Sequence, residues 1–224
     1  MPTLSVIIPA LNAAASLEAT LASLAPCPAA EIVVVDGGST DGTAERARAA
    51  GARVVVTVRG RGRQLGAGAK ATTGDWLLFL HADTRLASGW RSAVERHMTA
   101  PGAAERAAVF RLGFDAAGWR ARALARLVAW RTRAFGLPYG DQGLLIARAL
   151  YRRIGGYRPL PIMEDVDLVS RLGRRRIVML DATAITSAAR YRRDGWLLRP
   201  LRNLACLALW RLGVPPAVLV RLYR

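Results

Sequence analysis

Four short apolar runs in about the first eighty residues, alternating with helix-forming stretches, constrain this chain more than anything else in it. Residues 4–9, 32–35, 53–58 and 76–80 read as strands, and most are apolar at successive positions rather than at alternate ones. Such runs belong to strands covered on both faces. Pro9 is expected to end the first strand, and Asn12 to cap a helix in which Leu17, Leu21 and Leu24 recur at helical spacing. The turn Gly37-Gly38-Ser39-Thr40-Asp41-Gly42 leads into a short helix that stops at Gly51, and a further helix covers 64–72. With right-handed crossovers this βαβαβαβ order gives a parallel sheet with helices on both sides.

The rhythm then changes. Helices are expected over 90–98, 119–135, 148–154 and 166–172, and strands over 107–114, 144–146 and 176–180. The 119–135 helix is apolar and aromatic but studded with Arg120, Arg122, Arg126, Arg131 and Arg133. A chain of 224 residues buries one good core. The expected organisation is one domain over 1–195, with a nucleotide-binding part at 1–84 and an acceptor and base part at 85–195, followed by an amphipathic helical tail at 196–224.

Acids at strand ends carry the chemistry. Asp83 follows the 76–80 run, Asp36 follows Ile32-Val33-Val34-Val35, and Glu164-Asp165 lies far downstream. An open α/β sheet builds its ligand site at the carboxyl ends of its strands. Three such acids point to a metal-dependent transfer site that handles a phosphorylated donor. Asp36 can accept hydrogen bonds from a base or ribose, while Gly37 and Gly38 let a nucleotide approach the backbone. Asp41 is expected only to cap its helix. Gly66-Ala67-Gly68-Ala69-Lys70-Ala71 fits the dinucleotide fingerprint in letters, but it does not follow the first strand, as that fingerprint requires. No phosphate-binding G-x-x-x-x-G-K-[S/T] run exists.

Lys+Arg number 33 against 16 Asp+Glu, a formal net charge of +17. That field suits nucleotide phosphates, anionic lipid and nucleic acid alike. Zinc-finger spacing and the usual nucleic-acid modules are absent, so no specific nucleic-acid partner is expected. Cys27 and Cys206 are too few for a disulfide framework, and the amino terminus carries no basic leader before an apolar core. A cytoplasmic protein is expected, with the inner face of the membrane as an alternative address. In the tail, Arg199, Arg202, Asn203 and Cys206 share one helical stripe while leucines cover much of the rest, and no stretch nears the roughly 18 charge-free residues of a membrane span. Packing on the domain, a homodimer contact and peripheral attachment to a membrane surface all suit such a helix.

Ser5-Val6-Ile7-Ile8-Pro9-Ala10-Leu11-Asn12, Val34-Val35-Asp36-Gly37-Gly38-Ser39-Thr40-Asp41-Gly42-Thr43, Leu80-His81-Ala82-Asp83-Thr84 and Met163-Glu164-Asp165-Val166-Asp167-Leu168 occur in that order. Together they resemble the family 2 glycosyltransferases of GT-A fold, a Rossmann-like α/β fold whose sheet is mostly parallel. The nearest branch is the short bacterial one associated with radical-SAM and selenodomain proteins, of arsenosugar biosynthesis type. The resemblance implies inverting transfer of one sugar from a nucleoside-diphosphate sugar, commonly UDP-linked, to a hydroxyl acceptor, with Mg²⁺ or Mn²⁺ as cofactor. It assigns Asp36 to the base or ribose and Asp83 to the metal and diphosphate, and places Pro9, Asn12, Gly38 and Ala82 along the nucleotide sugar. The first acid of the family's D-x-D motif is His81 here, which either approaches the cation or orients Asp83. Asp165 is the candidate base, and Glu164 orients an acceptor hydroxyl or holds arginines.

Arg61, Arg63 and Lys70 are candidates to neutralise the diphosphate, and Arg190, Tyr191 and Arg192 to close over the leaving group. Asp141 and Gln142, in a turn, are candidate acceptor-binding residues. A lipid-linked acceptor would be guided by the 119–135 helix and the tail, which suit a soluble anionic one equally well. The rival readings are a nucleotidyltransferase on a similar sheet and a non-catalytic basic protein that binds nucleotide or membrane.

Overall fold

The computed structural model describes residues 2–25 and 30–223, and Cys27 lies outside them. The amino-terminal half runs β1 (Leu4–Ala10), α1 (Ala14–Leu24), β2 (Ala30–Asp36), α2 (Thr43–Ala49), β3 (Arg53–Val56), α3 (Arg61–Ala71) and β4 (Trp76–Phe79). There follow β5 (Thr84–Leu86), α4 (Trp90–Thr99), β6 (Ala107–Phe114), α5 (Trp119–Phe135), β7 (Leu144–Ala147), α6 (Arg148–Arg153), α7 (Glu164–Leu172) and β8 (Ile177–Thr186). Three helices close the chain: α8 (Ala189–Asp194), α9 (Leu198–Arg211) and α10 (Pro216–Tyr223).

The strands form one eight-stranded sheet in the order β3-β2-β1-β4-β7-β6-β8-β5. The first four are parallel, as the sequence predicts, but β7 runs antiparallel to both β4 and β6, so the sheet is mixed. Val6, Ile7, Ile8, Val33, Val34, Val35, Leu77 and Leu78 are wholly buried, which is what runs apolar at every position require. Strand order reverses between β1 and β4, because the chain steps from β1 outward to β2 and β3 before returning on the other side. Such a switch point opens a crevice at the carboxyl ends of the strands.

Pro9 does not end β1, which continues to Ala10. Leu80 N–H donates to Ile7 O on the β4 side, and Gly37 N–H donates to Ala10 O on the β2 side. The missing N–H of Pro9 therefore falls on the β4 side beyond the last paired residues, Ile7 and Phe79, so no ladder bond is lost. Asn12 does not cap α1 through its side chain. It takes φ 49° instead, and its Oδ1 accepts from Thr40 N–H at 3.0 Å, fastening the two loops that follow β1 and β2. Capping falls to Asp41, which accepts from Ala14 N–H at 3.0 Å and Thr43 N–H at 3.1 Å, so one carboxylate serves the starts of both α1 and α2.

The tail packs on the domain. Cys206, Leu207 and Leu219 join Leu137, Ile162, Met163, Val166 and Val169 in a second apolar cluster, next to the residues that begin α7.

Candidate active site

The crevice at the β1/β4 switch point has two chambers that share Arg61, His81, Asp83 and Arg190. One lies over the end of β1 and is lined by Pro9, Leu11, Asn12, Gly60, Gln64 and Ala82 as well. The other adds Tyr139, Gly140, Asp141, Asp165, Thr186 and Ser187, with Arg199 and Asn203 from α9.

Asp83 and His81 are presented by a tight turn between β4 and β5, closed by Thr84 N–H donating to His81 O at 3.2 Å. The far side of that turn is anchored on β8, where Ser187 N–H donates to Asp83 O at 3.1 Å. Burial, with the cations of Arg61 and Arg190 nearby, lowers the His81 pKa to about 3 against the opposing pull of Asp165. The imidazole is therefore neutral near pH 7, the form that can ligate a cation.

Asp165 sits in the first turn of α7. Its Oδ2 accepts from Gly140 N–H and its Oδ1 from Val166 N–H, each at 2.8 Å. Met163, at φ 63°, makes the turn into α7. A left-handed conformation costs a side-chain-bearing residue roughly 1–2 kcal/mol, and here the apolar cluster beneath Met163 offsets it. Glu164 lines neither chamber: it is 1% exposed and forms an ion pair with Arg61 Nε. Burial raises its pKa while Arg61 opposes the rise. Of the sequence alternatives for Glu164, holding an arginine is the one the geometry supports. Asp167 anchors the same helix, with Arg171 Nη2 at 2.6 Å and Arg158 Nη1 at 3.1 Å.

Asp141 lies in the 3-10 turn Gly140–Gln142. Burial lifts its pKa to about 6, with Asp165 and Asp83 adding to the rise and Arg131 and Arg61 opposing it. Its Oδ1 is buried without a hydrogen-bond partner. Asn203, which lines the same chamber from α9, has its Oδ1 likewise buried and unpartnered. Two lining residues of one cavity that each carry an unpartnered acceptor suit a ligand that brings hydroxyls.

Several sequence candidates fall elsewhere. Gln142 is buried and spent on structure, accepting from Thr132 Oγ1 at 2.9 Å and donating to Phe110 O at 3.0 Å, so it does not face an acceptor. Arg63 is exposed on the first turn of α3 and lines neither chamber. Lys70 is exposed on the last turn of that helix, roughly 13 Å along its axis from Arg61. The cation that α3 does bring to the cleft is Arg61. Asp36 is buried at the end of β2, where Ser39 N–H and Oγ donate to it, and Gly38 beside it has φ 90° with open space at its α-carbon. Both stand on the same sheet edge as the cleft, but neither lines a chamber. Arg190 and Tyr191 line the chamber that holds Asp141 and Asp165; Arg192 instead donates to Asp115 O at 3.1 Å. Asn203 had one sequence signal, its place on the polar stripe of the tail.

Among the described residues no group of three His, Cys, Asp or Glu side chains forms a metal cage. Asp83 and neutral His81, which line the cleft together, are suited to a cation that takes its remaining ligands from a bound molecule's phosphates and from water, the usual habit of Mg²⁺ sites.

A half-parallel sheet with acids and a histidine at its switch point is the mixed α/β fold of the GT-A glycosyltransferases. The solved structure of glucosyl-3-phosphoglycerate synthase from Mycobacterium tuberculosis, in complex with Mn²⁺, UDP and glucosyl-3-phosphoglycerate, superposes with a TM-score of 0.61 at 26% identity, covering 96% of this chain and 81% of that one. Residues 5–154 match the model of glycosyl transferase family 2, and the chain belongs to that family. The glucosyl-3-phosphoglycerate synthase sequence from the same organism is 42% identical over 93 residues, 36% of this chain and 29% of that protein. A PGL/p-HBAD biosynthesis glycosyltransferase, also from M. tuberculosis, is 44% identical over 94 residues, 38% of this chain and 37% of its own length. The chain thus matches about a third of the length of these curated relatives.

Proposed function

We propose that this chain is a glycosyltransferase that moves one sugar, with inversion, from a nucleoside-diphosphate sugar to a hydroxyl acceptor with the help of Mg²⁺ or Mn²⁺. The chain has no Q-x-x-R-W segment of the processive synthases, which favours a single transfer over polymer extension. The observation that carries the reading is the meeting of Asp83, His81, Asp141 and Asp165 in one chamber, joined through Arg61 and Arg190 to the chamber over β1. UDP is the favoured nucleotide, because a family relative of similar fold was solved with it.

In this reading the β1 chamber takes the nucleotide, bounded by Pro9, Asn12 and Ala82. Arg61 and Arg190 stand between the chambers, where departing phosphates gain negative charge. Asp83 and His81 would hold the cation, which supplies Lewis-acid stabilisation to the leaving diphosphate. Asp165, fixed by two backbone N–H groups, takes the proton of the acceptor hydroxyl as the new bond forms. Asp141 and Asn203 receive hydroxyl groups of the acceptor or the transferred sugar.

The test is a nucleotide-sugar panel with Mn²⁺, following donor consumption and the anomeric configuration of the product by NMR. Asp83→Ala should abolish turnover and weaken metal-dependent nucleotide binding. Asp165→Asn should cut turnover by about a thousandfold while leaving nucleotide binding intact. Retained turnover in Asp165→Asn, or a product of retained configuration, would defeat the base assignment.

A further inference from the structure

The tail helix is amphipathic the wrong way round for a solvated surface. On α9 the polar stripe turns inward: Arg199 is 5% exposed, Cys206 is buried, and Arg199 and Asn203 reach the catalytic chamber. The leucines turn outward, with Leu198, Leu201 and Leu204 exposed on the helix and Leu197 78% exposed just before it. Helix α5 also leaves large apolar side chains outside. Its Leu124 and Val128 pack against Leu112 of β6, while Trp119, 69% exposed, Leu127 and Trp130 project outward. The two faces adjoin along a groove walled by Trp119 and Leu127 on one side and Leu197 and Leu198 on the other. Trp119, Leu127, Leu197 and Leu198 are each more than half exposed around that one groove, an apolar cluster rather than the singly scattered side chains that need no explanation on a monomer.

Charge decides what covers it. Neither the stretch 116–140 nor the stretch 195–224 contains a single Asp or Glu. Arg120, Arg122, Arg126 and Arg133 are exposed on α5, and Arg211 on α9. A second copy docked by two-fold symmetry would set these arginines against their own counterparts. An anionic lipid surface answers both features, since leucine and tryptophan enter the acyl boundary while arginine stays among the headgroups. Among the described residues no helix is long and apolar enough to cross a membrane.

We propose that the joint face of α5 and α9 docks this protein on an anionic membrane surface. Helix α9 then separates lipid from the catalytic chamber by about its own diameter, on the order of 10 Å. Docking of this kind does not depend on the transfer reading, and its assay needs no donor.

The full chain is sedimented with vesicles of phosphatidylcholine, with and without phosphatidylglycerol. It should pellet with the anionic vesicles at low salt and release as salt rises. The variant L197S/L198S/L201S should lose vesicle affinity by about tenfold or more with an unchanged melting curve. R122Q/R126Q, which leaves every residue of the groove in place, should lose the preference for anionic lipid. The proposal is overturned if the wild-type chain stays in the supernatant, if it pellets equally with both vesicle types, or if either variant binds like the wild type. It is also overturned if the wild type elutes as a dimer that the serine variant dissociates.

Discussion

Asp141 and Gln142 are neighbours in a three-residue turn, and nothing in their order tells which one faces the core. The turn aims them apart, giving Gln142 to Thr132 and Phe110 and leaving Asp141 in the cleft. Burial with Asp165 and Asp83 nearby then moves the Asp141 pKa from 3.8 up to about 6. The folded protein therefore holds that proton more tightly than the unfolded chain does. Its contribution to stability is complete below about pH 4 and is lost as pH rises through about 6, a span of at most roughly 3 kcal/mol. Asp141→Asn should thus match the wild type in urea unfolding near pH 4 and exceed it by about 1–3 kcal/mol at pH 7.5. The same variant should transfer sugar more slowly by about tenfold or more, stability being exchanged for function at one residue. A variant equally stable at both pH values relative to wild type would mean that the carboxyl is not desolvated. That Asp83 and Asp165 would share one cleft was legible because each stands at a recognisable element boundary; the pairing of Glu164 with Arg61, 103 positions away, was not.

Elements became visible in proportion to their length. Helix α5 and strand β6 match their sequence expectations at both ends, since seventeen and eight residues give periodicity room to show. The three-residue β5 and six-residue α8 are too short to register a period, and both were missed. The direction of β7 was unreadable for another reason: a strand buried on both faces looks alike whether it runs with its neighbour or against it. The glycines of α3, which imitate a dinucleotide fingerprint, have a packing explanation. A β-carbon on Gly68 would overlap Ile7 Cγ2 and lie 2.9 Å from Val35 Cγ2, so the helix rests directly on β1 and β2. Gly68→Ala should cost about 1–3 kcal/mol by lifting α3 from the sheet, and donor affinity should fall because Arg61 begins that helix. Gly66→Ala is the control, its nearest neighbour being Tyr157 O at 3.6 Å. It should be neutral or stabilise by about 0.5–1 kcal/mol, as thermal melts of the two variants would reveal.

At the scale of the whole molecule, the tail's composition was plain but its orientation was not. An amphipathic pattern says that two faces differ without saying which one meets the protein, and here Asn203 and Cys206 turn inward while leucines turn out. Its attachment depends on the few apolar residues that do face inward. Leu207 is buried among Leu137, Met163, Val166 and Val169, the group that also holds Met163 in its left-handed turn before Asp165. Leu207→Ala should therefore cost about 2–5 kcal/mol of stability and also lower kcat, because slack under Met163 loosens the placement of Asp165 in the chamber. Leu204→Ala, one turn away on the exposed face, should change stability by no more than about 0.5 kcal/mol and leave kcat alone while weakening attachment to anionic vesicles. Measured side by side, the two leucines separate the inner duty of α9 from the outer one. If Leu204→Ala lowered kcat with soluble substrates as far as Leu207→Ala does, the helix would have to be turned about its axis, and Asn203 would no longer belong to the catalytic wall.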